Sequence, residues 1–484
     1  MKSTSNSWRA AGSVATAIAL IAAGGCTQIR YASKGMPLAK KETQSMKSNA
    51  ISAQTAVARV VDAISPERVR ADVDRLAAFG TRHTLSDTVS ETRGIGAARR
   101  WLKAEMEKAA AESGGRMTVS FEEFDAPKST RLPNGGRLVN VVGVLKGTEP
   151  AAEARRYYVV GHYDSRNLDP MDAVGDAPGA NDDGSGTSAV IEIARVLAKE
   201  KLGATVVFLL TAGEEQGLIG AKYHAEEAKA RGEKIAGVLS NDIIGDPMPA
   251  PGVEAKRRDR EVRVFSEGIP RNPSAEELAQ IRTLAMENDS PSRQLARFVA
   301  EIGDREGLPV RGVMVFRPDR FLRGGDHSAF LEAGFTAVRF TEFDENYDRQ
   351  HQNVTEVTNA DGTTRREGDV PEYVDAEYVA NVARLNAAVL VHLANAPEGP
   401  KKVRVLTAQL SNDTEVAWEA SEGAAGYEVV TRATTSAAWE TSRDVGNVTR
   451  ARLGVSKDDV FVGVRAYGND GWKSPVVFAT AAKE

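Results

Sequence analysis

One repeated pairing constrains this chain more than any other feature: in its middle, short runs of β-branched and aliphatic residues end at once in polar, glycine-rich clusters. Asn140–Leu145, Tyr157–Val160, Thr205–Leu210 and Val238–Leu239 are apolar enough to be strands buried on both faces. Between them lie stretches with helical spacing, Thr187–Lys199 and Gly220–Arg231. Such alternation predicts an α/β fold, a mostly parallel mixed sheet covered by helices on both faces. Sheets of this kind place their sites beyond the carboxyl ends of the strands, so the polar clusters are where chemistry is expected.

The 484 residues leave room for about three domains around this sheet. Lys2 and Arg9 precede the apolar stretch Ala10–Ala23, and Ala23-Gly24-Gly25-Cys26 closes it with small residues, so 1–26 reads as an export segment. The closing four resemble a lipobox, in which Cys26 becomes the lipidated first residue, although that motif favours Leu where Ala23 stands. The expectation is an exported protein of the bacterial periplasm or cell envelope, tied to a membrane only through lipid on Cys26, or otherwise secreted. Cys26 is the sole cysteine, which excludes intramolecular disulfides and cysteine-built zinc or iron–sulfur sites. Residues 27–65, rich in Ser, Lys, Gln, Thr and Ala, read as a linker with no fold.

From Pro66 the pattern tightens, with Val69, Val73 and Leu76 and then Ile95, Ala98, Leu102 and Met106 at helical spacing. The main domain is expected over 66–398, with a solvated loop at 256–263, helices near 292–302 and 376–393, and a break at Pro397-Glu398-Gly399-Pro400. Residues 402–484 alternate short strands with Gly, Ser, Asn and Asp turns, predicting an all-β sandwich. Trp418, Tyr427, Tyr467 and Asn469-Asp470-Gly471 resemble a fibronectin type III module. That resemblance implies an interaction or spacing module, for a protein or glycan partner, rather than a catalytic one. The 62 basic and 67 acidic residues give a net charge of -5 with no basic field, which argues against nucleic acid.

Five polar clusters hold the candidate chemistry. His162-Tyr163-Asp164-Ser165 offers an imidazole at a strand end with a carboxylate two residues on, a metal ligand with an orienting partner or a structural histidine. Asn181-Asp182-Asp183-Gly184-Ser185-Gly186 opens a helix, where acids serve as caps or, facing the sheet end, as metal bridges. Gly213-Glu214-Glu215-Gln216-Gly217 places adjacent carboxylates in the crevice, where a cation offsets their repulsion. Ser240-Asn241-Asp242 puts one acid at another strand end, and the segment after Ala337–Phe340 runs to Gln350-His351-Gln352. Two His and several carboxylates gathered at strand ends form an oxygen and nitrogen donor set suited to zinc or a similar divalent ion.

These blocks, in this order, resemble metallopeptidase family 28, the co-catalytic dizinc aminopeptidases. The resemblance implies two zinc ions per chain: His162 and Asp242 hold one, Glu215 and His351 the other, and Asp182 bridges them. It further implies that Asp164 orients His162 and that Glu214 is the general base for hydrolysis of N-terminal residues from peptide substrates. The same fold includes carboxypeptidases, a one-zinc cyclase and metal-free binding proteins, so a carboxypeptidase or an inactive binding protein remains an alternative. Family members often carry Tyr before the last His ligand, where this chain has Gln350; Tyr347 is an alternative for that role and is not counted among the expected site residues. Gly325-Asp326-His327-Ser328 resembles another family block, with a structural or a catalytic role for Asp326 and His327. His83, His224 and His392 fall outside every block and read as surface or packing residues.

Overall fold

The computed structural model describes residues 53–250, 252–254 and 256–482. The export segment and Cys26 lie outside the described residues. A helix, α1, spans residues 53–63, ahead of Pro66 and within the stretch read as a linker with no fold. Its Val57 and Val60, and Ile64 just beyond, are buried in the main core. Their helical spacing is real, but the polar tract upstream dilutes it when 27–65 is taken as one composition. Helix α2 (Pro66–Ala77) then starts where expected, with Pro66 in the first turn and the Ser65 hydroxyl accepting the Arg68 N–H.

After α3 (Gly94–Ala111) come β1 (Met117–Ala126), β2 (Gly136–Leu145), β3 (Arg155–His162), α4 (Gly184–Leu197), β4 (Thr205–Thr211), α5 (Ile219–Ala230) and β5 (Lys234–Asn241). The chain continues through β6 (Glu261–Ser266), α6 (Ala275–Leu284), α7 (Pro291–Arg305), β7 (Arg311–Val315), α8 (His327–Ala333) and β8 (Ala337–Thr341). A small hairpin of β9 (Thr355–Thr358) and β10 (Thr364–Glu367) precedes α9 (Ala376–Asn395).

Eight strands make one sheet in the order β1-β2-β4-β3-β5-β8-β6-β7. The central strands β4, β3, β5 and β8 are parallel, while β1 and β2 join antiparallel at one side and β6 runs antiparallel to β8 at the other. Strand β6 draws its first residues from the run 256–263, which the sequence reads as loop; its Val262 and Val264 are buried on the same sheet face. The basic residues flanking it hide that alternation.

Period-2 geometry sends successive strand residues to opposite faces. Val159, Val206, Phe208 and Leu210 therefore meet Leu76 of α2, Leu102 of α3, Ile191 of α4, Leu295 of α7 and Leu385 of α9. Tyr158, Val160, Val207 and Leu209 meet Ala221 and Ala225 of α5 and Phe330 of α8. Each fully buried aliphatic or aromatic side chain contributes about 1.5–3 kcal/mol, so two apolar layers fix the sheet and with it the strand ends.

The last strands are β11 (Lys401–Leu406), β12 (Thr414–Glu419), β13 (Gly426–Ala433), β14 (Thr441–Gly446), β15 (Arg450–Leu453), β16 (Val460–Tyr467), β17 (Val477–Phe478) and β18 (Thr480–Ala482). They form two four-stranded sheets, β15-β12-β11-β18 and β14-β13-β16-β17, around Val416, Trp418, Tyr427 and Val464. This unit is docked firmly on the helical layer. Asp289, fully buried, accepts from Arg297 Nη1 at 3.0 Å and from Arg432 Nη2 at 2.7 Å. Arg465 of β16 pairs with Glu301 of α7 at 2.7 Å, and Trp472 meets His392 of α9 edge-on at 4.8 Å between ring centroids.

Candidate metal centre

The site is assembled where the parallel strands end. His162 is the last residue of β3, Asp242 follows β5, Glu214 and Glu215 follow β4, and Asp182 lies two residues before the start of α4. Asp183 ties three of these segments together: its carboxylate accepts the backbone N–H of His162 at 3.1 Å, of Gly186 at 2.9 Å and of Ile243 at 3.3 Å. The sequence offers two adjacent acids here without saying which does what. The structure separates them, with Asp183 capping α4 and Asp182 facing the two imidazoles.

Asp182 presents one oxygen to each histidine. Its Oδ1 lies 3.2 Å from His162 Nε2 and its Oδ2 lies 2.8 Å from His351 Nε2. Asp242 Oδ1 is 3.8 Å from His162 Nε2, and Glu215 Oε1 is 2.9 Å from His351 Nε2. His162, Glu214 and Asp242 form one cluster with metal-ligand spacing, and Asp182, Glu215 and His351 form another. Glu214 thus stands with the His162 group, next to the residues expected to be ligands.

The donor set fits zinc on two observations. His162 Nε2 is buried and has no hydrogen-bond partner, although carboxylates surround it. Burial by itself would lower the pKa of His351, yet Glu215 and Asp182 overcome that and push it up to about 10. A concentration of carboxylates that draws a proton onto a half-buried imidazole is one that a divalent cation would neutralise better. For Glu214, burial pushes the carboxyl well above its ordinary value, and the neighbouring Asp242 and Glu215 add to the effect.

Asp164, fully buried, does more than face His162, whose Nδ1 lies 3.6 Å from its Oδ1. It accepts the Thr84 hydroxyl at 2.8 Å and the backbone N–H groups of Glu214 and Glu215, each at 3.2 Å. One carboxylate therefore fixes the β3 end against the β4 loop.

A family model described as "Peptidase family M28" matches residues 140–368. A Leptosphaeria maculans protein described as "Probable zinc metalloprotease" is 43% identical over 422 residues, covering 87% of this chain and 95% of that relative. The chain belongs to peptidase family M28. A second relative with the same description, from Pyricularia oryzae, is 45% identical over 419 residues, covering 85% of this chain and 82% of its own length. The Legionella pneumophila LapA aminopeptidase superposes at a TM-score of 0.48 with 20% identity, covering 70% of this chain and 75% of that one. These two relatives are fungal and lend no support to the bacterial envelope location expected from residues 1–26.

Against the family M28 pattern, the expected departure has a definite place. Gln350 Nε2 donates to Asp182 Oδ2 at 2.9 Å, while Tyr347 is 59% exposed with the Arg323 guanidinium 5.4 Å from its ring centroid. The side chain that precedes His351 therefore bears on Asp182, and Tyr347 stands out in solvent. Asp326 accepts the Thr211 hydroxyl at the end of β4, and His327 Nε2 lies 2.8 Å from the Pro318 carbonyl. Both are buried and bonded to the scaffold.

Several residues that sequence reasoning passed over support the centre. Arg82, fully buried, donates to the carbonyls of Tyr163, Pro178, Gly179 and Leu76, joining the β3 end to the loop that carries Asp182. Arg166 reaches Glu215 Oε2 at 3.0 Å and His351 Nδ1 at 2.6 Å, and Arg131 donates to the Glu215 carbonyl at 2.7 Å. His83, His224 and His392 are all buried, which corrects the surface half of their expectation. His83 stands 2.9 Å from the Gln216 amide nitrogen, beside the Glu214-Glu215 pair.

Proposed function

We propose that the chain is a zinc metallopeptidase that removes residues from the free N-termini of peptides, with Glu214 as general base. The observation that carries this reading is Asp182, whose two oxygens face His162 of one donor group and His351 of the other. His162 and Asp242 would hold one ion, Glu215 and His351 the second, and Asp182 both. Zinc bound there supplies Lewis-acid polarisation of the scissile carbonyl and a lower pKa for the attacking water. Glu214 takes the proton released as that water attacks, and delivers it to the amine nitrogen as the peptide bond breaks. Asp164 keeps Glu214 and Glu215 in register through their two N–H groups.

The choice of the amino end rests on the resemblance of the five ordered blocks to the dizinc aminopeptidases of family M28. The C-terminal sheets, read as a fibronectin type III-like module, serve as a spacing or interaction module for a protein or glycan partner. The export segment supports release from the cytoplasm, with Cys26 as the lipid attachment point.

Glu214→Gln tests the assignment of the base. Zinc content by elemental analysis should stay at the wild-type level while hydrolysis of a peptide substrate falls by about 10²–10⁴-fold. Retained turnover would remove Glu214 from the chemistry, and loss of zinc would place it among the ligands of the His162 group.

A further inference from the structure

Arg339 is an anomaly in its own strand. Strand β8 reads Ala-Val-Arg-Phe-Thr and every residue of it is buried, the arginine included, at 0% exposure. A guanidinium does not enter an apolar layer unless each of its donors is met. Here the donors converge on the candidate metal centre. Nη2 lies 3.0 Å from Asp242 Oδ1, Nη1 lies 2.7 Å from the Gly324 carbonyl and 3.2 Å from Asp319 Oδ2, and Nε lies 2.8 Å from Thr341 Oγ1. The Thr341 hydroxyl in turn donates to the Asp242 carbonyl at 2.8 Å, so the arginine grips both ends of that residue.

The sheet explains why this side chain can reach. Strand β8 lies beside β5 in parallel, with Arg339 opposite Ser240. Ser240 and Asp242 point to the same face because side chains repeat every two residues, so an extended side chain at 339 runs along the sheet to the carboxylate two residues on. Gly325 completes the fit, since a Cβ there would come within 2.5 Å of Arg339 Nη1 and 3.2 Å of Asp242 Oδ2. Asp319 is itself held by Arg320, whose Nε lies 3.1 Å from its Oδ1, so the brace is anchored on the side away from the metal centre.

We propose that Arg339 is a positioning residue for the metal position built by His162 and Asp242: it holds the Asp242 carboxylate in its ligating orientation and balances its charge when no cation is there. A planar fork with several fixed donors suits that role, and a lysine, as a point charge, cannot engage four acceptors at once. Groups that orient metal ligands typically change metal affinity by about 10–100-fold when removed. The inference rests on the dizinc reading of the site.

The test is zinc binding, measured by elemental analysis after gel filtration and by competition with a chromogenic chelator, on wild type, Arg339→Met, Arg339→Lys and Thr341→Val. Wild type should bind two zinc ions; fewer than two would overturn the dizinc reading itself, independently of Arg339. With two bound in wild type, Arg339→Met should weaken one equivalent by about 10–100-fold and leave the other at wild-type affinity. Arg339→Lys and Thr341→Val should weaken the same equivalent by less. A purely structural role predicts a lower melting temperature with both affinities unchanged, and that result in the folded variants would overturn the proposal. If Arg339→Met does not fold, Arg339→Lys decides: two equivalents of wild-type affinity refute the positioning role.

Discussion

Replacing Asp164 by Asn removes one charge and almost no volume from a group with no exposed surface, so its effect can be worked from the contacts. Oδ1 accepts the Glu214 N–H, and Oδ2 accepts the Glu215 N–H together with the Thr84 hydroxyl. The amide of Asn keeps one acceptor. If its carbonyl takes the Oδ2 position, the NH₂ faces the Glu214 N–H, donor against donor, and that bond is lost. A buried donor left unpaired costs about 1–3 kcal/mol, and at about 1.4 kcal/mol per tenfold this is a loss of about 5–150-fold when it falls on the placement of the base. Steady-state kinetics on an aminoacyl-anilide substrate should show kcat/KM reduced within that range, with zinc per chain measured alongside. Thr84→Val removes only the hydroxyl donor and should cost about 3–10-fold, since Oδ2 keeps the Glu215 N–H. An Asp164→Asn enzyme within twofold of wild type would refute the claim that this carboxylate holds the catalytic loop.

Two further outcomes follow from the charged contacts around the C-terminal sheets. Asp289→Leu strands the buried guanidiniums of Arg297 and Arg432 without their common partner, which should cost about 3–5 kcal/mol. Calorimetry would register this as a clear fall in melting temperature, and an unchanged trace would mean the clamp contributes nothing. Arg465 and Lys473 offset the burial of Glu428 and pull its carboxyl down to about 2, below its unfolded value of about 4.3. Its folded pKa is depressed, so its stabilisation is present above pH about 4.3 and fades as pH falls towards 2. The stability difference between wild type and Glu428→Gln in urea titrations should therefore shrink across that window, and a constant difference would contradict the assignment.

The central sheet was legible because its strands are continuous apolar runs, and the strand ends were legible because polar, glycine-rich clusters follow them. The expected metal and base residues all lie within such clusters, and the structure brings them to one place. What supports them was not legible. Thr84 meets Asp164 from 80 residues away and Arg82 reaches Gly179 across 97, contacts that no local period encodes. Arg339 did leave a trace, as a lone charge inside a run otherwise suited to a buried strand. Helix α1 was missed because its apolar spacing sits at the end of a polar tract. β1 was missed because it lies at the sheet edge, where half-exposed Glu122 and exposed Glu123 and Asp125 break the apolar pattern.

The central claim is that this centre cuts peptides from the amino end with the help of a metal. Its most direct test is a mass-spectrometric time course of a mixed peptide pool incubated with the purified protein, with a zinc chelator, and with zinc restored. The account predicts ladders that shorten one residue at a time from the N-terminus, stop with the chelator and resume with zinc. Ladders from the C-terminus, or cleavage indifferent to the chelator, would contradict it.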